Sequence, residues 1–356
     1  MQRVELVVRL LILLPDPQCK RKVRACLQGA ETPLRDIVTG MHRLSGTCLM
    51  LLIAVSGCHR QSVHSIRQPS RPDVLRESLH SEVDPVSNQW IRKALKGIDT
   101  EATAIREALP PTPSLAQTLA ALKRHFFGPE GFGPLRDLMS PENTSVAKVI
   151  ESRQGTCMGL AVVYQALAER LGLSAHAVAT PVHLFMRVDL EDGPRNVELL
   201  EDGRDIHDDL YRRRHKISDS SIERGVFLAN LTTDEVIAHL LSNQAIALSR
   251  DGMIEEALSR YDLAIEKAPL LVAAWYNRGI DLMSVDRVED ALTSFDKAIE
   301  LHPNDAQAHN NRGIAKARLG DSEGARADWQ QALRLEPNMT EAAENLRNLD
   351  GQAGSE

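Results

Sequence analysis

Cys157 follows Arg153-Gln154-Gly155-Thr156 and opens a stretch, 158–171, with apolar residues at every third or fourth position and Gly172 behind it. That spacing predicts a helix that starts at or just before the cysteine and is closed by the glycine. A sulfur there lies where aligned peptide dipoles favour negative charge, the condition for a nucleophilic thiolate. Downstream the pattern becomes extended over 175–179, 182–188 and 196–200, with turn residues across 189–195. A hairpin centred near residues 190 and 191 sets Glu198 opposite His183. Cysteine, histidine and carboxylate delivered in this way suit nucleophilic attack on an amide carbonyl: His183 takes the proton of Cys157, and Glu198 holds the imidazole in the productive tautomer. Gln154 is a weaker candidate, as an oxyanion donor or as part of the turn. A lone cysteine is ordinarily a small buried hydrophobe. Order, spacing and local structure taken together are what point to chemistry.

A second signal needs no chemistry. Pro269, Pro303 and Pro337 are spaced 34 residues apart, and the same offset relates Ala257, Ala291 and Ala325, then Tyr261, Phe295 and Trp329, then Ala264, Ala298 and Ala332. Small residues let paired helices approach, the aromatic column fills the space between successive pairs, and each proline stops a helix it cannot continue. The columns predict three helical hairpins and a capping helix over 236–350, with a short tail at 351–356. In the middle copy Trp275, Gly279, Ala291, Phe295, Ala298 and Pro303 resemble the tetratricopeptide signature. The resemblance implies a solenoid whose concave face takes up a protein or peptide partner.

The stretch from Val149 to Cys157, with Pro181-Val182-His183-Leu184-Phe185 and residues 196–203, resembles the transglutaminase-like superfamily and is similar to its SirB-type branch, in which tetratricopeptide repeats often follow. The resemblance covers residues 119–209 of a domain placed at 85–231. It implies a papain-like α+β fold ahead of the all-α solenoid, with catalytic positions on Cys157, His183 and Glu198. Asp is usual at the third position, and Glu is longer by one methylene.

The front of the chain reads as an address. From Met41 a basic start leads through an apolar stretch to Val55-Ser56-Gly57-Cys58, which looks like a bacterial lipobox, so 41–58 is expected to be a signal peptide with Cys58 acylated. The product would be exported and lipid-anchored on the periplasmic side of a bacterial membrane. Residues 1–40 read as a mis-assigned extension ahead of the true start, and 59–84, rich in Ser, Pro, His and Arg, as a flexible tether. The 356-residue chain, 43% hydrophobic and 26% charged, has the composition of globular domains. A net charge of -7 argues against nucleic acid as a partner. No metal-ligand spacing or phosphate-cradling glycine loop stands out, so no cofactor is expected. Two functions compete: a tethered cysteine hydrolase or acyltransferase with a recruiting array, and a non-catalytic adaptor lipoprotein acting through the repeats alone.

Overall fold

The computed structural model describes residues 73–82, 86–135 and 145–353. The chain divides into two units, Met1–Pro69 and Ser70–Glu356, and all the described residues belong to the second. The expected extension, signal peptide and lipidated Cys58 lie outside the described residues.

Part of the expected tether is not one. Helix α1 (Val74–His80) starts on Asp73, whose carboxylate accepts from the N–H groups of Leu75 and Arg76. Its Val74, Leu75 and Leu79 are buried in the main core, which corrects the tether reading for this segment. A seven-residue helix amid polar flanks carries too little periodicity to announce itself, and tertiary packing supplies its stability.

Helices α2 (Asn88–Glu107), α3 (Leu115–Phe126) and α4 (Val146–Ser152) come next, α3 opened by a reciprocal capping box between Ser114 and Gln117. A two-residue parallel bridge joins β1 (Gly133–Pro134) to β2 (Gln154–Gly155). Helix α5 (Cys157–Arg170) is the centre of the domain, with every residue from Met158 to Ala168 buried. A helix apolar on all faces must be covered on all faces. Helices α1 to α4 pack against it, as do β3 (Ala175–Ala179) and β4 (Leu184–Val188). The sheet is completed by β5 (Arg195–Val197), in the antiparallel order β3-β4-β5.

The hairpin register differs from expectation. Met186 pairs with Val197 and Val188 with Arg195, so Glu198 continues the ladder opposite Phe185 rather than His183. The slip is two residues, because the turn is centred later, near a Gly193 at φ 117°. An even slip keeps side chains on the same face, so His183 and Glu198 still meet. Both strands are also shorter than expected, for reasons that matter to the site.

Helices α6 (Asp208–Arg214) and α7 (Asp219–Glu223) lead into the repeat array. Its hairpins are α8 (Thr233–Arg250) with α9 (Ile254–Lys267), α10 (Val272–Ser284) with α11 (Val288–Leu301), and α12 (Ala306–Arg318) with α13 (Ser322–Leu335), followed by α14 (Thr340–Ala353). Each helix packs on its partner and on the next hairpin. The periodic columns have direct physical counterparts: a Cβ on Gly279 would lie 2.6 Å from Phe295, and one on Gly313 2.6 Å from Trp329. Only glycine lets these helices close on the aromatic rings.

The array is not a bead on a string. Val236 and Leu240 of α8 belong to the core around α5, whereas Ile237, Leu241 and Ala245 belong to the core of the first hairpin. The segment around α7 also caps repeat helices: Ser221 donates to the Leu301 carbonyl at 2.8 Å, and Lys216 to the Leu335 carbonyl at 3.0 Å. These are last-turn carbonyls that no intrahelical N–H can reach.

Candidate active site

Cys157 is the first residue of α5, and the approach to it is tightly specified. Helix α4 ends on Arg153 in the left-handed region (φ 58°), and β2 then pins residues 154 and 155 against β1. Val149 of α4 sits on the start of α5: a Cβ on Gly155 would be 2.6 Å from its Cγ2, and one on Gly159 2.7 Å. Glycines at these two positions let α4 seat where it delivers Cys157 to the sheet. Thr156, the N-cap, makes no side-chain cap, so it does not occupy the first-turn N–H groups.

His183 lies just before β4 because residues 180–183 form a turn. Thr180 N–H donates to the His183 carbonyl at 2.8 Å, and the Thr180 hydroxyl accepts from His183 N–H at 3.1 Å. Glu198 leaves β5 in a similar fashion, its N–H bonded to the Arg204 carbonyl and its carbonyl to Gly203 N–H. These latches shorten both strands and turn the two side chains toward each other. His183 Nε2 lies 2.8 Å from both carboxylate oxygens of Glu198, which is 3% exposed.

The imidazole therefore stands between Glu198 and Cys157, and its protonation reflects both. Burial pulls the His183 pKa down, but hydrogen bonds to Cys157 and Glu198 and their charge outweigh it and lift the value to about 9. For Glu198, burial alone would favour the neutral acid. Hydrogen bonds from His183 and Tyr211, the His183 charge and the Leu200 N–H hold it below the usual carboxylate range.

Tyr211 is the residue that sequence reasoning missed. Its hydroxyl donates to Glu198 Oε2 at 2.6 Å, and its ring stacks on Phe185 at 4.4 Å with an interplanar angle of 1°. Burial and the adjacent carboxylate push its pKa far up, so the phenol is a fixed donor. The basic run after it reads as a solvated segment in sequence, and nothing local marks Tyr211 as inward-facing. Helix α6 is held in place by Arg187 of β4, paired with Asp208 at 2.7 Å, and by Asn196 of β5, bonded to the same carboxylate. Replacing Tyr211 by Phe keeps the stacking and removes one hydrogen bond to a charged group, worth about 1.5–3 kcal/mol. Turnover should fall about tenfold or more with KM little changed, as measured by steady-state kinetics once a substrate is in hand.

Gln154 is not with these groups. It is exposed, its backbone pairs with Gly133, and it does not line the cavity that contains Cys157 and His183. The structure thus gives Gln154 a place in the turn. Among the described residues no cluster of three or more His, Cys, Asp or Glu side chains could hold a metal, and no helix is long and apolar enough to cross a membrane.

With this geometry in view, the comparisons with known proteins divide the chain in two. Residues 92–242 match the family described as the transglutaminase-like superfamily, and residues 276–340 match the tetratricopeptide repeat. The chain carries a transglutaminase-like domain followed by tetratricopeptide repeats. The transglutaminase-like match runs into α8, the helix shared by both cores. A UPF0162 protein from Xylella fastidiosa (strain Temecula1) is 30% identical over 97 residues, 27% of this chain and 34% of that protein. The same values hold for its counterpart in strain 9a5c. The match thus spans about a third of the length of these curated relatives. Among solved structures, the first TPR of Spaghetti (RPAP3) bound to an HSP90 peptide is 26% identical, covering 33% of this chain and 94% of that one with a TM-score of 0.32. MamA is 16% identical, covering 33% and 68%, also at 0.32.

Proposed function

We propose that this protein is a membrane-tethered cysteine hydrolase or acyltransferase that acts on peptide amides, with the tetratricopeptide array recruiting its protein substrate or partner. The observation that carries the reading is the imidazole of His183, which is bonded through Nε2 to the buried carboxylate of Glu198 and also hydrogen-bonds Cys157. His183 takes the proton of Cys157. The sulfur attacks the amide carbonyl, first-turn N–H groups of α5 stabilise the oxyanion, and His183 gives its proton to the leaving amine. Water or a second amine, deprotonated by the now neutral His183, then resolves the thioester. Hydrolysis and transfer differ only in that last nucleophile.

Iodoacetamide labelling at pH 6, with the modified peptide located by mass, tests the nucleophile. A Cys157 that alkylates no faster than an ordinary thiol leaves the adaptor as the function. The tether is tested apart from the chemistry: the mature protein should begin at Cys58 and carry its acyl mass, and an intact mass that retains residues 1–40 without lipid would sink that element of the proposal.

A further inference from the structure

The cavity beside Cys157 and His183 is not walled by the transglutaminase-like domain alone. Val182 and Met158 line it, with Val226 and Phe227 from the segment after α7, Leu270 from the connection between α9 and α10, and Ala273 of α10. Glu235, His239 and Asn243 also line it, at intervals of four residues on α8, so they share one helix face. The first repeat hairpin and the start of the second therefore complete the cleft in which the thiol sits.

Size and polarity narrow the occupant. The cavity is about 180 Å³, and an apolar cavity of about 150 Å³ is enough to accept a benzene ring. No Lys, Arg or Asp lines it among the described residues. Its one carboxylate, Glu235, is already engaged by the N–H and hydroxyl of Thr232 at 2.7 and 2.8 Å. Burial drives the His239 pKa down to about 4, which keeps that imidazole neutral near pH 7. A charged side chain entering here would lose water, and the charged groups at the wall, His183 and Glu235, are already engaged by Glu198 and Thr232. Val182, immediately before His183, is 79% exposed, the highest value among the large exposed apolar residues of the described chain. It lies at the cavity wall, where an incoming apolar side chain would cover it.

We propose that the repeats form half of a substrate pocket, which takes an aliphatic or aromatic side chain of a peptide next to the amide that Cys157 attacks. This rests on the cysteine reading for its purpose, while the pocket itself can be tested without turnover. The probes are fluorescein-labelled heptapeptides, Gly-Ala-Ala-X-Ala-Ala-Gly with X as Leu, Phe, Asp or Lys, titrated by anisotropy into the full chain carrying Cys157→Ala. Burying a Leu or Phe side chain should make those peptides bind about tenfold tighter or better than the charged ones. Val182→Asp, at an exposed position, and Leu270→Asp, in the turn before α10, should each erase the preference. Equal affinities, absent binding, or a preference that survives Val182→Asp overturns the proposal; the last result places the peptide elsewhere on the array. Failure of the nucleophile would show separately, as alkylation of Cys157 in the otherwise unaltered chain that does not depend on His183.

Discussion

Replacing His183 by alanine is expected to slow alkylation of Cys157 by about two orders of magnitude at pH 6. An ordinary thiol with a pKa near 8.5 is ionised in only about one molecule in 300 at that pH, and a neighbouring imidazole that accepts the proton to form an ion pair removes that limit. The pair is favoured because Glu198 compensates the positive ring and Tyr211 compensates Glu198, in a chain of hydrogen bonds of 2.8 and 2.6 Å. The pH profile carries a second readout. With the His183 pKa raised to about 9, the imidazolium that protonates the leaving amine persists through neutral pH, and turnover should fall as pH rises through about 9. Stopped-flow alkylation of the parent chain and of His183→Ala between pH 5 and 10 measures both effects. Equal rates at pH 6, with the fold intact by circular dichroism, would defeat the proposed mechanism.

Replacing Asp328 by alanine is expected to destabilise the end of the array by about 3–5 kcal/mol, the usual cost of removing one member of a buried ion cluster. Asp328 is 3% exposed, and its oxygens take Arg312 at 2.5 and 2.9 Å, Lys316 at 2.8 Å and the His309 ring at 3.3 Å. Without it, Lys316 loses this carboxylate and Arg312 keeps only the more exposed Asp296, at 2.8 Å. The sign of the pH dependence comes from the depressed pKa: burial would raise it, but the hydrogen bonds from His309, Arg312 and Lys316 and the Arg312 charge more than reverse that. The stabilisation is complete above the unfolded carboxylate value of about 4 and is lost as pH falls below it toward the folded value. Urea midpoints from pH 7 down to pH 3 should show a large loss in Asp328→Ala at neutral pH and a shallower acid limb. Hydrogen exchange should place the loss in residues 306–353. An unchanged midpoint at pH 7 would mean that the cluster contributes nothing net.

Local rules made some elements legible. The repeat hairpins arise from a period in which small, aromatic and proline positions recur, and each such position acts through neighbours one repeat away, so a sequence ladder translates directly into packing. Cys157 at a helix start and His183 at the opening of an extended segment are read from a change of period and from turn chemistry within a few residues. The parity of the hairpin was also readable, because an even slip leaves His183 and Glu198 on one face.

The sequence by itself thus determined the repeat array, the types of the three facing residues and the face on which two of them meet. Tertiary structure alone decided the hairpin register, the burial of α1, the arrival of Tyr211 at Glu198, and the sharing of α8 between two cores. It also decided that repeat residues close the cleft beside the thiol. These depend on contacts between segments distant in the chain, such as Leu270 near Cys157 or Val74 in the core around α5. No local periodicity encodes such a contact, because each partner's pattern is satisfied equally well by any apolar surface it could have met.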